Sequence, residues 1–225
     1  MIDKKCFTTE WIAQKAYEIQ FNDKNLIEKA IRAFSLLDLL AASGCPFHFK
    51  GGSSLMLLLQ GERHRLSIDI DIVCPPNVNV EDYLNEYSES GFLEYELVER
   101  KQSISKVPKS HRKFFYQVAY QANSTQKQYI LLDVLYEDCH YIATQKMPIS
   151  SDLIACVGAT TMVNVPSISD ILGDKLTAFA PDTIGVPYYK HEKVASNKLN
   201  KLRVNNPEAF FYWAKVGELL DGKTI

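Results

Sequence analysis

The 225 residues are 46% hydrophobic and 23% charged, ordinary proportions for a folded globular chain that exclude general disorder. With 25 basic and 27 acidic side chains the formal net charge is −2, which excludes a global positive field, so any polyanion must be met by a local patch. The longest apolar runs fall far short of a membrane span, and the opening MIDKKCF has no hydrophobic leader. Cys6, Cys45, Cys74, Cys139 and Cys156 are odd in number and hold no CxxC pair, so neither a disulfide scaffold nor a structural zinc site is expected and the setting reads as cytoplasmic.

Residues 9–21 and 24–42 read as helices. In the second, Leu26, Ile27, Ala30, Ile31, Phe34, Leu37 and Leu40 recur at helical spacing before Gly44 and Pro46 stop it. Phe47 to Lys50 reads as a short strand in which His48 is a half-buried structural residue. Gly51-Gly52-Ser53-Ser54 then forms a glycine turn opening the helix of Leu55 to Leu59, where outward N–H groups can cradle phosphate oxygens.

Ser67 to Val73 alternates polar and apolar at the strand period, projecting Asp69 and Asp71 from one face while Ile68, Ile70 and Ile72 bury the other. Aspartate is depleted in strands and like charges two residues apart repel, so the pattern wants a cation. A solvated face neutralised by Arg63, Arg65 or a lysine has the same pattern; the glycine turn nearby favours a hard divalent ion with substrate phosphates.

Pro75-Pro76 breaks the chain, and residues 80–90 read as a helix ending at Gly91. Residues 93–101, 113–122, 129–137 and 140–147 read as four strands extending the sheet in antiparallel fashion. The third holds Asp133 in the apolar run ILLDVL, where an unpaired charge would cost several kcal/mol, so it needs a partner or a metal. Cys139 and His140 are strand neighbours aimed at opposite faces and are set aside as ligands. Residues 101–113 read as a basic loop with Lys101, Lys106, Lys109, Arg112 and Lys113, a candidate phosphate contact if the partner is RNA. Ser167 to Asp170 matches a capping box opening a helix through Ile171, Leu172, Lys175, Leu176 and Phe179.

A strand, Gly-Gly-Ser, a helix and Asp-x-Asp on the next strand resemble the nucleotidyltransferase signature of polymerase-beta-type enzymes. KGGSSL followed by Arg65-x-Ser67-x-Asp69-x-Asp71 resembles, more closely, the AbiEii/AbiGii toxin family, as does GDKLTAFAPDTIGVPYY at 173–189. The resemblance implies an α+β fold with a mixed or antiparallel sheet flanked by helices. It divides the chain into a nucleotidyltransferase core with N-terminal helices over 1–150 and a C-terminal helical portion over 151–225 that completes the nucleotide site.

It also implies a magnesium- or manganese-dependent enzyme moving a nucleoside monophosphate from an NTP to an acceptor, the 3′ end of transfer RNA in some family members, with a cognate antitoxin as a further partner. Asp69, Asp71 and Asp133 would hold metal; Gly51, Gly52, Ser53 and Ser67 would line the nucleotide; Lys175 would face the triphosphate and steady the departing pyrophosphate. The match departs at the C-terminus, where Lys215 stands in place of a family aspartate and Asp221 lies nearly two turns beyond. Two other readings stay open: a small-molecule acceptor, as in antibiotic-modifying enzymes, and a catalytically impaired module that binds nucleotide or antitoxin.

Overall fold

The structure, a computed structural model, describes residues 1–59, 66–98, 108–120, 126–177 and 204. The expected helix at 210–221, with Lys215 and Asp221, lies outside them, as do Arg63, Arg65, Lys101 and Lys106 and the family block beyond residue 177. The chain divides into two compact units, one of 1–102 and 106–174, the other of 103–105 and 175–225.

The first unit is α+β. Helices α1 (Thr9–Glu18), α2 (Lys24–Ala42), α3 (Gly51–Leu58) and the part of α4 (Ile168–Thr177) up to Asp174 accompany a seven-stranded mixed sheet. Its strands are β1 (His48–Lys50), β2 (Ile70–Cys74), β3 (Glu94–Leu97), β4 (Lys109–Gln117), β5 (Lys127–Tyr136), β6 (Thr144–Pro148) and β7 (Met162–Pro166), in the order β3-β4-β5-β2-β1-β7-β6. Strands β2 and β5 run parallel, as do β1 and β7; β1–β2, β3–β4, β4–β5 and β6–β7 are antiparallel.

Asp23 caps α2 by accepting from the Leu26 N–H at 3.0 Å. The apolar stripe of α2 packs on the sheet face formed by Phe49, Ile70, Ile72, Leu132, Val134, Phe114 and Tyr116, and the Arg32 guanidinium lies 4.9 Å from the Tyr116 ring centre. Glu28, Arg32, Ser35 and Asp38 of α2 are also buried, and together they anchor three segments. Glu28 accepts from the Ala119 N–H at 2.9 Å, Arg32 donates to the Gly91 carbonyl at 3.0 Å, Ser35 donates to the Ser90 carbonyl at 2.9 Å, and Asp38 accepts from the Ile2 N–H at 2.9 Å. A polar group left unpaired there would be costly, so these bonds fix the loops around the helix.

Several elements differ from the expectations. Residues 80–90 are a short 3₁₀ turn (Val80–Tyr83) followed by further turns: Val80, Tyr83, Leu84 and Tyr87 meet the core at helical spacing, but Asn79 supplies no side-chain cap to start a helix. The Met162–Pro166 strand was not expected; Val163 and Val165 alternate inward, and the strand fills the slot between β1 and β6. The expected basic loop is a strand from Lys109 onward, so its charges alternate between faces. The capping box is formed, with Ser167 donating to the Asp170 carboxylate at 2.7 Å and accepting from the Asp170 N–H at 3.1 Å. No helix among the described residues is long and apolar enough to cross a membrane.

Candidate active site

Register decides which side chains share the other face of the sheet. Lys50 on β1 is opposite Asp71 on β2, Asp71 is beside Asp133 on β5, and Asp133 is opposite His111 on β4. Side chains paired in register project to the same side, so Lys50, Asp71, Asp133 and His111 form one row across four strands. The residues flanking Asp71 and Asp133 along their strands, Ile70, Ile72, Leu132 and Val134, point into the core. Two carboxylates thus stand on adjacent strands about 4.8 Å apart, the usual strand spacing.

His111 was not singled out from the sequence. Its Nδ1 lies 2.6 Å from Asp133 Oδ1, with the two side chains 15% and 25% exposed, so the contact is sheltered from bulk water without being sealed from it. A partner for Asp133 was demanded by its apolar strand, but the identity of that partner depends on the β4–β5 register. Lys50, at the other end of the row, lies 3.7 Å from Asp174 Oδ2, a carboxylate that also accepts from the Tyr141 hydroxyl at 2.8 Å. Together with burial, that bond pushes the Tyr141 phenol well above its ordinary range.

Gly51 enters α3 with φ +78°, a conformation that side-chain-bearing residues rarely adopt. A Cβ there would run into the Asp71 carboxylate, so the missing side chain is what lets the turn close onto that acid. Lys50, the residue before the helix, makes no side-chain capping bond to the first turn of α3. The N-terminal N–H groups of α3 and the Asp71 carboxylate are therefore immediate neighbours, an arrangement suited to a phosphate bridged to a cation.

Ser53 and Ser67 take a bracing position. The Ser53 hydroxyl bonds Ser67 Oγ at 2.9 Å and also donates to the Asp69 carbonyl, while the Ser67 N–H meets the Met56 sulfur at 3.3 Å. Ser53 is buried, so its hydroxyl ties the turn to the acidic stretch, and it is the backbone of Gly51, Gly52 and Ser53 that can face a ligand. The same bond explains a correction. Asp69 was expected inside the strand, but β2 begins at Ile70, because the Asp69 carbonyl is claimed by Ser53 and ladder pairing starts with Ile70 beside Leu132. Asp69 is exposed just before the strand, two residues from Asp71.

Lys175 sits exposed in the last turn of α4 and belongs to the second unit. Arg112, expected to contact phosphate, points to the opposite face. It is buried and bonded to Glu81, with Nε 2.8 Å from Oε1, and Glu81 also accepts from Tyr95 at 2.5 Å.

A sequence model described as nucleotidyl transferase AbiEii toxin, type IV TA system, matches residues 36–191, well over half of the chain. The chain belongs to this family. Membership agrees with the resemblance carried by KGGSSL and the paired aspartates, and the AbiEii match spans every residue of the row described above. No curated protein matches the chain. Among solved structures, JHP933 from Helicobacter pylori is similar at 14% identity and a TM-score of 0.41, covering 79% of this chain and 59% of that one. A candidate nucleotidyltransferase from H. pylori is similar at 17% identity and a TM-score of 0.42, covering 67% of this chain and 56% of that one. The chain thus spans less than two thirds of the length of either structure.

Among the described residues no three His, Cys, Asp or Glu side chains converge into a metal cage. Magnesium does not need one: it keeps several waters and is held by one or two carboxylates together with substrate phosphates. Asp71 and Asp133 in register, next to a glycine turn that a Cβ would block, fit that mode of binding.

Proposed function

We propose that the protein is a magnesium- or manganese-dependent nucleotidyltransferase that moves a nucleoside monophosphate from an NTP to the 3′ end of an RNA, transfer RNA being the family precedent, and that it acts as the toxin of a bacterial toxin–antitoxin pair with a cognate antitoxin as partner. The observation that carries this reading is the register of Asp71 with Asp133 beside the Gly51 turn, within a chain of the AbiEii family.

Asp71 and Asp133, with Asp69 at the approach, are the residues that would hold the ion, which when bound would neutralise phosphate charge and sharpen the acceptor hydroxyl. The backbone N–H groups of Gly51, Gly52 and Ser53 cradle the outer phosphates, with Ser53 and Ser67 holding the turn in place. The acceptor oxygen forms a bond to the α-phosphorus while the bond from that phosphorus to the bridging oxygen breaks, and pyrophosphate carries the bonding electrons away. The acceptor proton passes to a carboxylate oxygen of Asp133, whose orientation is held by His111. Lys175 is assigned to the triphosphate through the family match of its helix, as the cation that steadies the leaving pyrophosphate.

The test incubates the protein with each labelled NTP, magnesium and total RNA, beside Asp71→Asn and Asp133→Asn. Label in RNA that depends on both carboxylates supports the reading. Label on a small acceptor alone redirects it to a small-molecule enzyme, and nucleotide binding without transfer redirects it to an impaired module.

A further inference from the structure

Beyond the row of acids, the same face of the β4–β5 ladder carries a second set of side chains. Going away from His111 and Asp133, the next outward residues on β4 are Lys113 and Phe115, and on β5 they are Leu131 and Tyr129. Phe115 is opposite Tyr129, with ring centres 5.9 Å apart and edge-on, and Lys113 Nζ stands 4.9 Å from the Tyr129 ring centre. Tyr129, the third residue of β5, is 43% exposed and presents its ring on the open face of the sheet. The aromatics of the opposite face, Phe114 and Tyr116, are by contrast sealed in the core.

We infer that this patch is the docking platform for the unpaired end of the acceptor nucleic acid, one base stacking on Tyr129 against Phe115 and a backbone phosphate meeting Lys113. The inference deepens the transferase reading and rests on it for the direction of the strand. An aromatic ring on an open sheet face beside a cation is how sequence-tolerant single-strand binders hold bases. Four residues at about 3.3 Å each place Tyr129 roughly 13 Å along β5 from Asp133. Two to four nucleotides bridge such a span, at ~3.4 Å each when stacked and more when extended. A terminal hydroxyl at the acids and an upstream base on Tyr129 can therefore belong to one strand.

The charge of the patch is compatible. Lys113 pairs with Glu96 at 3.5 Å and Lys127 with Glu94 at 2.8 Å, all four side chains being solvent-exposed to a substantial degree on the edge strand and its neighbours. Exposed pairs of this kind contribute little, so exchanging a carboxylate for a phosphate costs little.

The test measures binding of a short unpaired fluorescein-labelled RNA, and of DNA of the same sequence, to the full chain by anisotropy, with transfer kinetics in parallel. Tyr129→Leu should weaken binding about 5- to 100-fold and raise KM for RNA, with KM for NTP unchanged. Tyr129→Trp should retain affinity within about threefold, and its added emission should be quenched on binding. Lys113→Gln should lower the salt slope of binding by about one. Binding of either nucleic acid that follows Tyr129 in this way supports the platform. Wild-type protein that binds neither oligonucleotide overturns it, as does Tyr129→Leu binding like wild type; a change in self-association with unchanged oligonucleotide affinity also overturns it, in favour of a contact between copies. Tyr129-dependent binding without any transfer would sink the transferase reading alone. Transfer to RNA with a wild-type KM in Tyr129→Leu would sink the platform alone.

Discussion

Toward α2, strands β2 and β5 present Ile70, Ile72, Leu132 and Val134, all buried; one residue along, toward the other face, they present Asp71 and Asp133, half-buried and side by side. The backbone is shared and only the parity of the position differs. The core face holds the strands rigidly enough for the opposite face to keep two like charges adjacent, a juxtaposition that is destabilising by itself. Stability and chemistry can therefore be separated by substitutions at consecutive positions.

The sharpest way to break that separation is to change one member of each set. Asp71→Asn or Asp133→Asn should reduce transfer by about a hundredfold or more, while stability to denaturant stays level or rises by up to about 1 kcal/mol as repulsion is relieved. Leu132→Ala, adjacent to Asp133, should cost about 2–5 kcal/mol of stability yet retain transfer when assayed well below its melting temperature. An asparagine variant that unfolds, or a Leu132 variant that stays fully folded but is inactive, would contradict the division of labour.

Gly51→Ala should strike both properties, since it combines an unfavourable positive φ with a collision against Asp71. A stability loss of about 1–3 kcal/mol together with loss of nucleotide affinity is expected, read by denaturant melts and calorimetry with NTP. A smaller effect sharpens the role of His111: His111→Ala should lower kcat about tenfold with KM for NTP little changed, whereas His111→Asn, which keeps a donor near Nδ1, should recover most of it. Equal damage in both variants would point to the ring rather than to the bond with Asp133.

The smallest expected effect concerns pH. Burial holds His48 below its ordinary value of 6.5, so the ring is neutral in both folded and unfolded chains above that pH and contributes nothing there. As pH falls below 6.5 the unfolded chain takes up a proton that the folded chain resists, and stability declines. His48→Gln should flatten that acid limb in a pH series of melts.

What the sequence disclosed follows from local rules. The glycine turn, the Asp-x-Asp pattern and Asp133 in its apolar strand each announce themselves within a few residues, and α2 is legible from its spacing. Pairing across distant strands is not encoded in that way. His111 sits in a polar run that reads as loop, and only the β4–β5 register brings it to Asp133. Arg112 and Lys113 look alike in sequence, but alternation buries one against Glu81 and leaves the other over Tyr129. Strand β7 escaped because MVNVP is five residues long with a central asparagine and gains its identity from β1 and β6 beside it. Residues 80–90 misled in the other direction, since Val80, Tyr83, Leu84 and Tyr87 do meet the core at helical spacing, yet without a side-chain cap from Asn79 the run closes into a 3₁₀ turn and further turns.

Parallel pairing of β2 with β5 has a consequence for the life of the chain on the ribosome. Asp71 meets a neighbour made 62 positions later, since 133 − 71 = 62, with the whole β3–β4 excursion inserted between them. A nascent fragment ending before Asp133 carries Asp69 and Asp71 but not the in-register partner on β5, and a parallel pair with so long a closure is slow to form. A half-synthesised copy thus lacks the cross-strand pair altogether, and the site comes into being only once β5 has been made and has docked beside β2.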